Sequence, residues 1–323
     1  MCTAISFVTN NHYFGRTLDL EYSYCETITV TPRNFVFDFR KTGEERHHYA
    51  IIGMAYVNNG YPLYYDAVNE YGLCMAGLNF PDNAVYFGER KDKINIAPFE
   101  FIPFILSKCK DVKEAEILLK DINLINENFS NELPASPLHW MISDKNYSIT
   151  VESVKTGLNV YKNAVGVLTN NPPFDMQMFN LSKYRNITSG QGKSSFAEGI
   201  ELLSYSKGMG GIGLPGDLSS DSRFVRACFT KLNSVCGGDE NSSVNQFFHI
   251  MGAVEQVRGC NATKDGMEIT IYTSCCNADK GIYYYTTYGN RAINAVDMHR
   301  TQLDADKLSI YPLITEQKID FQN

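Results

Sequence analysis

The sequence predicts an α+β chain in which two stacked antiparallel sheets lie between layers of helix. Three observations carry that reading. The first 80 residues read mostly as strands, with apolar alternation or short apolar runs broken by Asn- and Gly-containing turns. A pair of helical segments follows between residues 98 and 120. Strands then return, and a second helical pair between 219 and 257 precedes three more strands. With 44% hydrophobic content the chain can bury a large core. By themselves 323 residues fit one large domain or two, and the layering of strands and helices is read as one, residues 1–323.

The order of elements begins with a nucleophile. Cys2-Thr3-Ala4-Ile5-Ser6-Phe7-Val8 runs from a thiol into a β-prone segment. Thr9-Asn10-Asn11 is a polar turn and His12 to Asp19 a second strand, so a hairpin is expected. By itself Cys2 reads equally well as a small apolar residue in an edge strand. A small second residue permits removal of the initiator, so Cys2 is expected to become the amino terminus. Its α-amine and thiol would then both titrate near neutrality on one residue, and the amine could take the thiol proton. The hairpin should bring Arg16 and Asp19 toward Cys2. A guanidinium near a thiol favours the thiolate, and a carboxylate would orient an ammonium. The same two residues also fit an ordinary surface ion pair.

Further strands are expected at Ile28–Thr31, His48–Tyr56, Tyr61–Val68 and Leu73–Leu78, the last two flanking the hairpin loop Asn69-Glu70-Tyr71-Gly72. Asn79 ends the last of them, either as a turn residue or as an amide donor for a developing oxyanion. Pro98 to Cys109 has Pro near its start and apolar residues all round, which predicts a buried helix. Asp111 to Lys120 opens with an Asp cap and a Glu three residues on. Strands at Leu138–Ser143, Ser148–Ser153, Leu158–Tyr161 and Val165–Thr169 then deliver Asn170 and Asn171, which with Pro172 also read as a plain turn.

Gly192-Lys193-Ser194 imitates a phosphate-binding loop, but that pattern needs Gly five positions before Gly192, where Ile187 stands. Residues 189–194 therefore read as a solvated loop. The next helix starts in Ser219-Ser220-Asp221-Ser222, all good caps, and runs to about residue 235, with Phe224, Cys228 and Leu232 on one face. Arg223 in its first turn opposes the helix dipole, so it should be solvated or engaged by an anion. A helix at Val244–Val257 contains His249, which reads as a core residue among Phe247, Phe248, Ile250 and Met251. Strands at Glu268–Ser274, Gly281–Thr287 and Ala292–Asp297 close the chain.

Composition excludes several functions. Lys+Arg 29 against Asp+Glu 36 gives −7, which speaks against a nucleic-acid partner. Apolar runs fall far short of the roughly 18 residues that span a bilayer. The first residues carry neither the basic nor the apolar region of a secretory signal, so a cytoplasmic protein is expected. The nine cysteines form no C-x-x-C pair, and adjacent Cys275-Cys276 suits neither a disulfide nor zinc. They are expected as reduced thiols, mostly filling core.

Five separated motifs, in order, resemble the choloylglycine hydrolases, the bile salt hydrolases and penicillin V acylases of the N-terminal nucleophile superfamily. They are Met1-Cys2-Thr3-Ala4, Phe14-Gly15-Arg16-Thr17-Leu18-Asp19, Ala76-Gly77-Leu78-Asn79-Phe80, Leu168-Thr169-Asn170-Asn171-Pro172, and Gly213-Leu214-Pro215-Gly216-Asp217 followed by Ser222-Arg223-Phe224. The likeness runs from Met1 to about residue 320. It implies a four-layer αββα sandwich and amide hydrolysis through a thioester on Cys2, with no metal or organic cofactor. It implies Asn79 and Asn170 as oxyanion donors, Arg16 holding the thiolate, and Asp19 holding the amine or the substrate amide. Arg223 would support them near Asp19, with Arg226 the weaker candidate.

The implied substrate is a glycine- or taurine-conjugated bile acid. Penicillin V is the alternative, although that branch often carries Tyr where Asn79 stands. Asn58–Pro62, Phe129–Pro137, Ile5, Phe7 and Met54 are the expected lining of a steroid cleft, and a homotetramer is the implied assembly. Competing readings are a catalytically silent homologue that binds sterol acids or β-lactams, and acid ceramidase-like or acyl-homoserine-lactone cleavage.

Overall fold

The computed structural model describes residues 1–323. In chain order the strands and helices are β1 (Cys2–Val8), β2 (His12–Leu20), β3 (Thr27–Thr31), β4 (Phe37–Phe39), β5 (Gly43–Glu45), β6 (Ile51–Asn58), β7 (Tyr61–Asn69), β8 (Cys74–Asn79), β9 (Ile94–Ile96), α1 (Phe101–Lys108), α2 (Val112–Leu119), β10 (Ile122–Leu124), β11 (Leu138–Ser143), β12 (Ser148–Val154), β13 (Gly157–Lys162), β14 (Val167–Leu168), α3 (Phe174–Leu181), α4 (Ser220–Asn233), α5 (Glu240–Gly252), β15 (Ile269–Asn277), β16 (Ile282–Thr287), β17 (Asn290–Asp297) and β18 (Ser309–Pro312). Two large sheets result. One runs β14-β1-β2-β15-β16-β17 and the other β13-β12-β11-β8-β7-β6-β3-β18. Pairing within both is antiparallel throughout.

α4 and α5 lie on the outer face of the six-stranded sheet, and α1 on that of the eight-stranded sheet. This is the αββα layering the sequence predicts. One apolar cluster fills the space between the sheets and continues under α4 and α5, and a second lies between the larger sheet and α1 and α2. No helix is long and apolar enough to cross a membrane. All nine cysteines are free, and six are buried.

Alternation sorts the first hairpin onto two faces. Cys2 pairs with Leu18 and Ala4 with Arg16. Ser6 reaches Ser143 of β11, so Cys2, Ala4, Ser6 and Arg16 face the other sheet. Thr3 meets Arg223 of α4, so Thr3, Thr17 and Asp19 face the helices. A single sheet therefore separates Arg16 from Asp19.

Several expectations are corrected. Residues 48–50 precede β6, and the His48 ring binds the carbonyls of Phe35 and Tyr49 instead. α5 starts at Glu240 behind an Asp239 cap, and it ends at Gly252. His249 is exposed: the buried stripe is Ser243, Val244, Phe247, Ile250 and Met251, and position 249 falls about 200° around the helix from 247. Leu232 is also exposed, because eight residues at 100° each overshoot the Phe224 stripe by about 80°. Lys231 lies closer to that stripe, and its ammonium reaches the Val165 carbonyl. β18, unforeseen, adds an edge strand to β3. At α2, Asp111 accepts from the Glu114 amide, but the Glu114 carboxylate binds the Lys110 amide, one residue earlier than a capping box would place it.

Candidate active site

The site grows from the first residue of β1. Cys2 is 3% exposed, with its sulfur on the inter-sheet face and its backbone at the strand's open end. Its amide donates to Asn170 Oδ1 at 2.9 Å. The same oxygen accepts Arg223 Nη2 at 2.8 Å, and Asn170 Nδ2 donates to the Asn79 carbonyl at 2.7 Å. Arg223 Nη1 donates to the Cys2 carbonyl at 2.6 Å and to Thr3 Oγ1 at 2.8 Å, while its Nε binds the Leu218 carbonyl at 3.1 Å. Nitrogen and carbonyl of the nucleophilic residue are thus held by two side chains that also hold each other.

Arg223 is neither solvated nor bonded to an anion, contrary to expectation. Its donors are met by neutral oxygens. Burial lowers its pKa, against the fields of Asp19, Cys2 and Glu268. Asp19 carries the reciprocal effect. Burial raises its carboxyl pKa, opposed first by the Arg223 charge, then by the amino terminus and by Thr270. Asp19 accepts from Thr270 Oγ1 at 2.7 Å and Thr17 Oγ1 at 3.0 Å. Its backbone amide donates to the Met1 carbonyl at 2.9 Å, and the Met1 ammonium binds the Asp19 carbonyl and the Glu268 carboxylate.

Arg16 fills the inter-sheet side. Its Nη1 binds the carbonyls of Tyr65, at 3.1 Å, and Gly77, and its Nε that of Thr17 at 3.1 Å. Burial opposes its charge, but Cys2, Tyr272, Asp66 and Asp19 outweigh burial and hold its pKa above the usual value. The Asn79 side chain is exposed at the end of β8, opposite Leu138 of β11, while its backbone receives Asn170.

Other candidates lie apart. Asn171 Nδ2 binds the Pro81 carbonyl. Arg226 ties the carbonyls of Ala253 and Pro215. Ile5, Phe7 and Met54 are closed into the core. β1 is covered by α4 on one face and β8 on the other, so Ile5 and Phe7, which share the helix face with Thr3, are packed. The two remaining segments do meet, through Tyr61 and Phe129 at 5.8 Å between ring centres. Cavities of about 410 Å³ and 280 Å³ are lined by Arg90, Leu119 and Leu158, and by Gln256, Thr270 and Tyr288, and Cys2 is in neither. No three His, Cys, Asp or Glu side chains gather in a way that could hold a metal.

Two β-bulges that the sequence does not signal complete the site. In β7 the register shifts between Met54 and Ala55 of β6, leaving Tyr65 as the extra residue. Its carbonyl is the one Arg16 takes. In β15 the shift falls between Thr270 and Tyr272. It turns Thr270 toward Asp19 and Tyr272 toward the opposite face, where its hydroxyl donates to Asp66 at 2.7 Å. Asp66 also accepts from Tyr283 at 2.5 Å and Ser274 at 3.0 Å. Ser274 Oγ in turn accepts the Arg16 amide at 3.0 Å. Burial raises the Asp66 carboxyl, against Arg16 and these hydroxyls. The only trace of this network in the sequence is a carboxylate set inside an apolar strand.

A thiol at a strand end, a guanidinium on its own face and the Asn170 side chain at its nitrogen are groups that can serve acyl transfer from an amide. A family model described as linear amide C–N hydrolases, choloylglycine hydrolase family, matches residues 2–311, and the chain belongs to that family. It is 55% identical to the bile salt hydrolase/transferase of Lactiplantibacillus plantarum over 98% of both chains. It is 38% identical to the protein of that description from Clostridium perfringens, over 96% of each. A crystal structure of a mutant conjugated bile acid hydrolase from Clostridium perfringens superposes with a TM-score of 0.92 at 37% identity, covering 100% of both chains. The penicillin V acylase of Agrobacterium tumefaciens shares the fold, with a TM-score of 0.76 at 18% identity over 96% of this chain and 90% of that one.

Proposed function

We propose that this chain hydrolyses the amide of glycine- and taurine-conjugated bile acids by acyl transfer to Cys2. The observation that carries the substrate class is its 55% identity, along essentially its whole length, to a bile salt hydrolase/transferase. With Met1 removed, the Cys2 amine takes the thiol proton and the sulfur attacks the substrate carbonyl. The Asn79 side chain and the Asn170 amide stabilise the oxyanion, where one such donor is worth about 10²–10³ in rate. The ammonium returns its proton to the departing amino-acid nitrogen, and water then cleaves the thioester.

Arg16, on the sulfur's own face, favours the thiolate. Asp19, on the helix face at the end of the paired strand, favours the ammonium form of the amine through its charge, and Arg223 fixes Cys2 through its carbonyl. The test runs conjugates and phenoxymethylpenicillin in parallel. Faster amino-acid release supports a bile salt hydrolase. Much faster phenoxyacetyl release makes the chain a penicillin V acylase by the same mechanism, and turnover of neither makes it a silent binder.

The chain acts as one domain, in the cytoplasm, as a homotetramer. Support for assembly comes from exposed Phe196, Leu203, Tyr205 and Ile212 in one irregular segment, since exposed apolar clusters mark interfaces. Sedimentation of the purified protein as a monomer would refute the tetramer.

A further inference from the structure

His139 of β11 is fully buried and lies behind the residues that carry Asn79 and Asn170. Its Nδ1 is 3.0 Å from Glu152 Oε1, and its Nε2 is 2.9 Å from the Thr169 carbonyl. With Glu152 ionised both partners offer only lone pairs, and a ring that satisfies both donates from both nitrogens, as the imidazolium does. Glu152 Oε1 also accepts the Phe174 amide at 3.0 Å, where α3 begins. The other Glu152 oxygen is buried without a partner, so His139 is its one counter-charge at contact distance.

The geometry points to a clamp. Through Thr169 and Phe174, the His139–Glu152 ion pair holds both ends of the loop that carries Asn170. The His139 ring also stacks on Phe80 at 4.2 Å and 6°, next in chain to Asn79. One buried pair in the larger sheet thereby fixes the spacing between the loop that carries Asn170 and the strand end that carries Asn79. It touches neither substrate nor sulfur, so both members are positioning residues. Gln177 completes the hold from α3, with its Nε2 on the Asn170 and Pro172 carbonyls. This inference rests on the reading of Asn79 and Asn170 as reacting-site residues.

The first test is a nitrogen-15 spectrum of the full-length, histidine-labelled protein, with His139→Gln assigning the signal. Two protonated ring nitrogens on His139 are expected, and a single one overturns the clamp. The second is kinetic. His139→Gln and Glu152→Gln should each lower kcat for a conjugated bile acid by about 10², the cost of a displacement near 1 Å. KM should stay within about twofold, and the double variant should be no slower than either single one, since one device is being removed. Parental kcat in His139→Gln, beside an inactive Cys2→Ala, sinks the clamp alone. Turnover by Cys2→Ala sinks the reading on which it rests.

Discussion

Replacing Asn170 with Ala removes three hydrogen bonds at once, to the Cys2 amide, the Arg223 guanidinium and the Asn79 carbonyl. Two buried donors, one of them charged, then lose their acceptor. Each orphaned group costs about 1–3 kcal/mol, so the variant should lose about 2–6 kcal/mol of stability. Its kcat should fall by about 10²–10³ through the lost oxyanion donor. Asn170→Asp separates the two effects. It keeps an acceptor for Cys2 and Arg223 but sets an acceptor against the Asn79 carbonyl in place of a donor, so it should recover part of the lost stability yet remain slow. Urea unfolding and initial rates of glycine release from a glycine conjugate are the assays. If Asn170→Ala turns over at the parental rate, Asn170 is not part of the reacting site.

Arg16→Lys should lower kcat and slow alkylation of Cys2 by iodoacetamide, because a single ammonium cannot bind three carbonyls in the fork geometry of the guanidinium; unchanged alkylation would count against the thiolate role. Gly15→Ala should lower Tm and activity together, since its methyl would collide with the Ser274 carbonyl of β15 beside Arg16. A calorimetric scan equal to the parent's would mean the strands part without cost. His12 is buried with its pKa lowered to about 4, chiefly by burial. Its folded value lies below its unfolded one, so its contribution is complete above about pH 6.5. That contribution is lost as pH falls toward about 4, at up to about 3 kcal/mol. Urea titrations of parent and His12→Gln should converge at acid pH, and parallel curves would contradict the assignment.

The first hairpin was legible because its turn is polar and its flanks alternate, and the five motifs fell on strand ends and one helix start. Parity was also there to be read. Arg16 and Asp19 are three apart, so a strand must send them to opposite faces, although proximity to Cys2 alone suggested a shared side. The bulges at Tyr65 and Ile271 were not legible: an extra residue leaves no mark in composition, yet each re-aims groups that bind Arg16 or Asp19. Ile5, Phe7 and Met54 looked like cleft residues because sequence hydrophobicity does not say which layer covers them. His249 reads as core from the identity of its neighbours, but its angle around α5 decides its exposure. His139 carries no signal in the sequence, since its partners come from β12 and from the loop after β14.

The decisive measurement is an acid-quench mass analysis of mature protein during turnover of a conjugated bile acid. Attack by the sulfur of Cys2 predicts a transient added steroid acyl mass on a peptide that starts at Cys2, absent in Cys2→Ala. An acyl group on any other residue, or steady turnover by Cys2→Ala, would contradict it.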